Sequence, residues 1–215
     1  MSVVLDDYKI FYSAVPKIGC TSIKNAFFEL ENGFPFQEFV VNGRKRHIHN
    51  TGYQTLLRNR YPEQRIADYH RVAFVRGPIE RFISAYSNRV LYHQELSEKN
   101  AGPALEKLGL QPTPDLGLFV DRYEEYIQAH DSIWHHTRPM VDYLGRDSDY
   151  FSRIYLLSEM DIFAEDISAR VDKPFTVGCM QKGGQDHKPS DLTWRHRRKL
   201  EKLYKADIKV FGKFV

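Results

Sequence analysis

Cysteine is nearly absent from this chain. Cys20 and Cys179 are the only two in 215 residues. They are too few for a disulfide framework and read as free thiols of a reducing compartment. Long apolar runs are absent too: no window approaches 18 apolar residues, so no membrane-spanning helix is legible. The opening MSVVLDDYKI has no basic segment ahead of a long apolar stretch. No cleavable signal is expected, and the chain reads as a soluble cytoplasmic protein. There is little excess of charge, 31 Lys and Arg against 28 Asp and Glu, net +3. That balance suits an anionic ligand and does not call for nucleic acid. Internal repeats and low-complexity tracts are missing. So is the Gly-x4-Gly-Lys-[Ser/Thr] spacing that cradles a nucleoside triphosphate with Mg²⁺. No set of His, Cys and carboxylate residues has convincing metal-ligand spacing, and metal-free chemistry is expected.

What is present is an ordinary globular balance, 42% hydrophobic and 27% charged, with 13% aromatic residues that predict an aromatic-rich core. The length fits a single domain over residues 1–215. Lys9–Val15 reads as a buried strand. Pro16 stops it, and Thr21 or Ser22 is expected to N-cap a helix that Asn32-Gly33 ends. Gln37–Val41 reads as a second strand, residues 43–50 as a basic loop, and Tyr53–Arg60 as a short helix. Arg71–Val75 reads as a strand, and Pro78 suits the first position of the next helix. That helix has an apolar stripe of Ile79, Phe82, Ile83, Tyr86 and Val90. Glu80, Arg81, Ser84 and Asn88 fall on its polar side. Residues 97–114 read as a mobile insertion with one short helix near 103–108. An amphipathic helix from Leu116, a strand at Arg153–Leu157, a helix at Met160–Val171, a polar loop at 181–191 and a basic helix near 193–206 complete the chain. Strands alternating with helices predict an α/β fold with a mainly parallel central sheet flanked by helices.

The segment Pro16–Ser22, PKIGCTS, lies between a buried strand and a helix N-terminus. Such a junction is an anion site by construction, because free amides and the helix dipole point at it. Lys17 adds positive charge, Gly19 permits a close backbone approach, and Thr21 and Ser22 add hydroxyls. The plain alternative is a βα turn that binds nothing. A second strand–turn–helix, FVRGPIERFISAY at 74–86, sets Arg76 at a strand's C-terminal end and Ser84 about two turns into a helix. Ligands gather at such ends in parallel sheets, and an arginine fork with a hydroxyl suits a terminal phosphate. Otherwise Arg76 is a structural ion-pair partner and Ser84 simply faces solvent.

These two segments resemble the donor-binding motifs of the carbohydrate sulfotransferase family that includes the heparan 2-O and chondroitin/dermatan 4-O enzymes. Pro16, Lys17, Gly19, Cys20, Thr21 and Ser22 match its 5′-phosphosulfate loop. Arg76 and Ser84 match its 3′-phosphate motif, although Gly77 stands where the family usually has an acidic residue. WHHTRPM at 134–140 is similar to the family's His-x-Arg-Pro segment, and IYLLSEMDIFAED and YKADIKVFGKF resemble its later segments. The resemblance implies a P-loop-NTPase-like sulfotransferase fold in a soluble, bacterial-type member. It implies 3′-phosphoadenosine 5′-phosphosulfate (PAPS) as donor, PAP as product, and a hydroxyl acceptor, typically a carbohydrate.

In that scheme Lys17 neutralises the leaving phosphate and a histidine takes the acceptor's proton. His49, within RHIHN, matches the family's functional histidine best, and His136 is the rival. Lys182 and Lys188, by position, are expected to close over the donor. Arg44, Lys45 and Arg46 could meet an acidic acceptor or form a solvated basic loop. RHRRK at 195–199 lies beside Leu200, Leu203 and Tyr204, which indicates docking rather than nucleic-acid binding. No membrane partner is expected and no oligomeric state is assigned. Two other readings stay open: a kinase-like phosphotransferase using ATP and Mg²⁺, and a non-catalytic glycan- or nucleotide-binding module.

Overall fold

The computed structural model describes residues 2–178 and 187–215. In chain order its strands are β1 (Val3–Leu5), β2 (Ile10–Ser13), β3 (Phe39–Val41), β4 (Arg44–Arg46), β5 (His70–Val75) and β6 (Arg153–Leu156). Its α-helices are α1 (Cys20–Asn32), α2 (Pro78–Ala85), α3 (Glu98–Lys107), α4 (Leu116–Asp121), α5 (Tyr123–Ala129), α6 (Asp131–Thr137), α7 (Val141–Leu144), α8 (Met160–Val171), α9 (Trp194–Leu203) and α10 (Lys205–Phe211). The chain forms two compact units. The first comprises residues 1–76, 140–181 and 213–215, and the second residues 77–139 and 182–212.

The first unit holds a four-stranded sheet in the order β1-β2-β5-β6. β1 runs antiparallel to β2, while β2, β5 and β6 are mutually parallel. The sheet is therefore mostly parallel, as the alternation of strands and helices predicts. Parallel strands are covered on both faces and read as continuous apolar runs. Ile10, Phe11 and Tyr12 of β2 and Val72 to Val75 of β5 fit that rule, all of them at zero exposure. Phe27 of α1 and Phe163 of α8 pack with the sheet's rings. Phe74 lies 4.9 Å from Phe163 and stacks on Tyr155 at 5.3 Å, and Phe27 lies 5.1 Å from Phe175. The expected aromatic core is this cluster.

Several local expectations change. Residues 39–46 form a β-hairpin, β3–β4, where a strand and a basic loop were expected. Asn42 and Gly43 both take positive φ, 51° and 71°. That is the tight turn an Asn-Gly pair favours, and the pair itself was the available signal. The helix expected at Tyr53–Arg60 shrinks to a single 3₁₀ turn, Arg58–Arg60.

The second unit is helical. Pro78 begins α2 as expected, and a π-helical stretch, Tyr86–Tyr92, continues it. Phe82, Tyr86, Phe119, Tyr123 and Tyr126 are the aromatic centre of its core. The segment 97–114 is not a loose insertion. Its Ser97–Lys107 portion is α3 with its N-cap, and Ala101, Leu105 and Leu110 are buried in the same core. The expected helix from Leu116 breaks at Arg122 into α4 and α5, and the basic C-terminal helix breaks at Tyr204 into α9 and α10.

Arg81 corrects the amphipathic reading of α2 most sharply. It is fully buried rather than on a polar face. Its guanidinium donates to the carbonyls of His136 at 3.1 Å and Thr137 at 3.3 Å, and to that of Arg138. These carbonyls end α6, where the helix dipole is negative and the last carbonyls lack helical partners. Tyr204 donates to the Thr137 carbonyl as well. A buried cation thus closes the end of α6. Replacing it should strand buried acceptors, so Arg81→Met should lower the unfolding free energy by roughly 3 kcal/mol in urea titration. A change below about 0.5 kcal/mol would refute this role.

Candidate functional site

The loop between β2 and α1 is shaped by two left-handed residues, Lys17 at φ 68° and Gly19 at φ 65°. Between them Ile18 is fully buried and anchors the loop. Gly19, not Thr21 or Ser22, is the N-cap residue, and α1 starts at Cys20. The helix therefore begins two or three residues earlier than the capping side chains suggested. Among the described residues no side chain caps this end, and no acidic residue occupies its first turn. Its amide-rich, positive end suits an anion.

Glycine is required at position 19 for two reasons. Its φ is one that L side chains rarely adopt, and an added Cβ would lie 3.2 Å from both Leu157 Cδ1 and Met160 Cε. Those two residues follow β6, so the loop packs directly on the end of a neighbouring parallel strand. On the end of β5, the Arg76 guanidinium donates to the Lys17 carbonyl at 3.4 Å. The C-terminal ends of β2, β5 and β6 thus meet at one loop, where parallel sheets place their ligands. The structure brings Pro16, Lys17, Gly19, Cys20, Thr21, Ser22 and Arg76 together there. Cys20 is a half-buried free thiol, whereas Cys179 lies outside the described residues.

His49 joins the same constellation. Its Nε2 is 2.9 Å from Thr21 Oγ1 and its Nδ1 is 3.0 Å from Lys24 Nζ. The RHIHN turn that delivers it is locked by Asn50, whose Oδ1 accepts from the His47 amide at 2.8 Å, and by buried Ile48. His47 is tied to the same turn, since its Nδ1 accepts from the His49 amide at 3.2 Å. Burial holds the His47 imidazole below its ordinary pKa.

Lys24 escaped sequence reading. It sits on α1 with zero exposure. Its Nζ also donates to Thr55 Oγ1 at 3.1 Å. Burial pushes its ammonium down to about 8 from 10.5, against an opposing contribution from charge on Cys20. The only available signal was the three-residue spacing from Thr21, which places both on one helix face.

The remaining candidates belong to the second unit. Ser84 is half-buried in the last turn of α2. His136 lies in the last turn of α6, with Nδ1 at 2.7 Å from the Ser132 carbonyl. A carbonyl only accepts, so this bond puts the ring proton on Nδ1 and the lone pair on Nε2. Lys188 is exposed, and its amide donates to Asp191 Oδ2 at 3.0 Å. Lys182 lies outside the described residues. Gly77 precedes α2, and the space a side chain would take there is filled by the Glu80 carboxylate. Among the described residues no group of three or more His, Cys, Asp or Glu is placed to hold a metal ion, and no helix is long and apolar enough to cross a membrane.

Comparison with known proteins adds to this geometry. A family model described as the sulfotransferase family matches residues 1–214. The chain is 31% identical over 90 residues to carbohydrate sulfotransferase 11 of Rattus norvegicus, covering 40% of this chain and 25% of that protein. It is 25% identical over 158 residues to carbohydrate sulfotransferase 14 of Mus musculus, covering 66% and 42%. With carbohydrate sulfotransferase 12 of Mus musculus it shares 22% over 250 residues, covering 98% and 59%. The chain thus spans between 25% and 59% of the length of these relatives. No solved structure matches significantly.

Two outcomes test the local physics. The unfolded chain holds the Lys24 proton to higher pH than the folded one, so stability should rise as pH passes upward through about 8. Between pH 7 and 9.5 the wild type should gain roughly 2 kcal/mol relative to Lys24→Met in chemical denaturation. A flat difference would show that the lysine titrates normally. Gly19→Ala should lower stability by at least about 1–2 kcal/mol, from the left-handed backbone alone; an unchanged midpoint would contradict the packing described.

Proposed function

The chain belongs to the sulfotransferase family, and from that premise we propose that it moves a sulfuryl group from PAPS to a hydroxyl, in line and without a metal. The observation that carries the reading is the contact between the loop and the arginine of the second motif: Arg76 bonds the Lys17 carbonyl beside a helix N-terminus with no acid in its first turn. That chemistry fits the donor, which presents a 5′-phosphosulfate and a 3′-phosphate. The strand, the left-handed loop and the helix start at Cys20 support a P-loop-NTPase-like fold. The family match runs through both units, which supports one catalytic domain over residues 1–215.

In this reading the amides of Cys20, Thr21 and Ser22 hold the 5′ end, and Gly19 lets the backbone come close. Lys17 stabilises charge growing on the leaving phosphate oxygen. Arg76 holds the 3′-phosphate by charge-assisted hydrogen bonds. His49 takes the acceptor's proton at Nε2 as the hydroxyl oxygen attacks sulfur. In-line transfer needs this positioning more than covalent help from the protein. The acceptor is a carbohydrate, as the names of the similar carbohydrate sulfotransferases suggest. Arg44 is exposed on β4 just before the His47–Asn50 turn and offers a cation to an acidic sugar, while Lys45 beside it is paired with Glu38.

His136 is the second reading for the base. The observation favouring it is its tautomer, which leaves Nε2 with a lone pair. Transfer of ³⁵S-labelled sulfate from PAPS to a panel of glycans, compared across variants, tests the assignments. Lys17→Ala should lower kcat on the order of 10²-fold, and Arg76→Ala should raise the KM for PAPS about tenfold or more. His49→Ala should lower turnover on the order of 10²-fold. Near-normal turnover in His49→Ala with loss in His136→Ala would move the base to His136. Transfer to no hydroxyl acceptor, with PAPS bound, would favour a binding module.

A further inference from the structure

Lys24 and Thr21 clamp one imidazole from opposite sides. Thr21 Oγ1 meets Nε2 of His49 at 2.9 Å and Lys24 Nζ meets Nδ1 at 3.0 Å, so the ring has no freedom to turn without losing both bonds. An ammonium group carries donors and no acceptor. While Lys24 is charged, Nδ1 must accept from it, and the single proton of a neutral imidazole must lie on Nε2. His49 then faces Thr21 with an N–H and has no lone pair there. A neutral amine permits the reverse. It donates to Thr55 and has a lone pair that accepts Nδ1–H, so Nε2 can carry a lone pair that receives the Thr21 hydroxyl proton or, in its place, that of an acceptor hydroxyl.

We infer that Lys24 is the positioning partner of His49: its protonation state selects the imidazole nitrogen that bears the proton, and its neutral amine receives the Nδ1 proton when Nε2 takes one from the acceptor hydroxyl. The inference rests on His49 being the base proposed above. The step balances. The acceptor O–H bond breaks and its proton goes to Nε2. The oxygen forms a bond to sulfur, and the bond from sulfur to the phosphate oxygen breaks, with its electron pair leaving on the phosphate. The Nδ1 proton passes to the Lys24 lone pair, so His49 ends neutral and Lys24 ends as an ammonium. Deprotonation of Lys24 to solvent resets the pair.

The surroundings of Lys24 fit this role. It is fully buried on α1, where an ammonium is poorly solvated. Among the described residues, the titratable groups facing it are Cys20 on its own helix and, from the turn after β4, His49 and His47. The Thr55 hydroxyl bonds it from the segment that follows that turn. Charge on Cys20 opposes loss of the lysine's proton, but burial outweighs it and brings the ammonium down to about 8. The selection of tautomer therefore falls within the range of an ordinary assay.

The direct test is ¹⁵N NMR of the histidine rings in the intact protein without donor or acceptor, titrated from pH 6.5 to 9.5, with His49 assigned against His49→Ala. His49 should be Nε2–H below pH 8 and become Nδ1–H above it. In Lys24→Met the change should vanish. Lys24→Arg, which stays charged, should hold Nε2–H throughout. A single tautomer across the titration of the wild type would overturn the inference, whatever the variants do. In turnover, the rising, acid-side limb of the wild-type kcat profile should lie near pH 8. Lys24→Arg should lower kcat at least tenfold at pH 9 with a smaller effect on the KM for PAPS. A limb near the ordinary histidine value of about 6.5, unchanged in Lys24→Met, would also overturn it. If the tautomer switches but His49→Ala turns over normally, the base assignment fails while the Lys24–His49 coupling stands.

Discussion

The close approach of the β2–α1 loop to the ends of two neighbouring parallel strands is the constraint on which the first unit's site depends. Gly19 touches the residues after β6, and the Lys17 carbonyl receives the guanidinium that follows β5. Both contacts need left-handed backbone at 17 and 19. With that backbone the helix can start at Cys20 and present its first amides outward. A side chain at 19 would strain the left-handed backbone and press on the ends of the Leu157 and Met160 side chains.

A second arrangement grows from the same helix. Three residues after Thr21, Lys24 reaches back beneath the loop and meets the imidazole that Thr21 holds from above. One turn of α1 therefore fixes a histidine from two positions, Thr21 and Lys24. Removal of the lysine from water is unfavourable, and the hydrogen bonds to His49 and Thr55 offset it only in part. Burial of this kind is commonly retained at sites where a shifted proton affinity is used. In the second unit Arg81 stays with its carbonyls at the end of α6, and there the buried cation holds structure rather than chemistry.

Much of this was legible in the residues. β2, β5, β6 and α8 fall within a residue or two of their expected bounds, because parallel strands and an amphipathic helix leave strong apolar patterns. The positions of Lys17 and Arg76 at strand ends followed from Pro16 and Pro78, which punctuate the chain there. The N-cap was misplaced because Thr21 and Ser22 are better capping side chains than glycine, while the loop needs a left-handed residue at 19. Arg81 and Lys24 were missed for one shared reason. Periodicity sorts cations to the surface, and only tertiary partners, the carbonyls of α6 or the ring of His49, justify burying them. The segment 97–114 was misread because Gly102 and Pro103 suggest a break, yet Leu105 and Leu110 are held by the core of the second unit.

The central claim is that the loop at Gly19 and the arginine at 76 form a site for a nucleotide bearing both a 5′ and a 3′ phosphate group. Calorimetric titration of the intact protein with PAP, and separately with ATP plus Mg²⁺, tests it most directly. The account predicts saturable PAP binding that needs no added metal and is at least tenfold tighter than binding of ATP with Mg²⁺. Preference for ATP with Mg²⁺, or no binding of PAP at millimolar concentration, would contradict it.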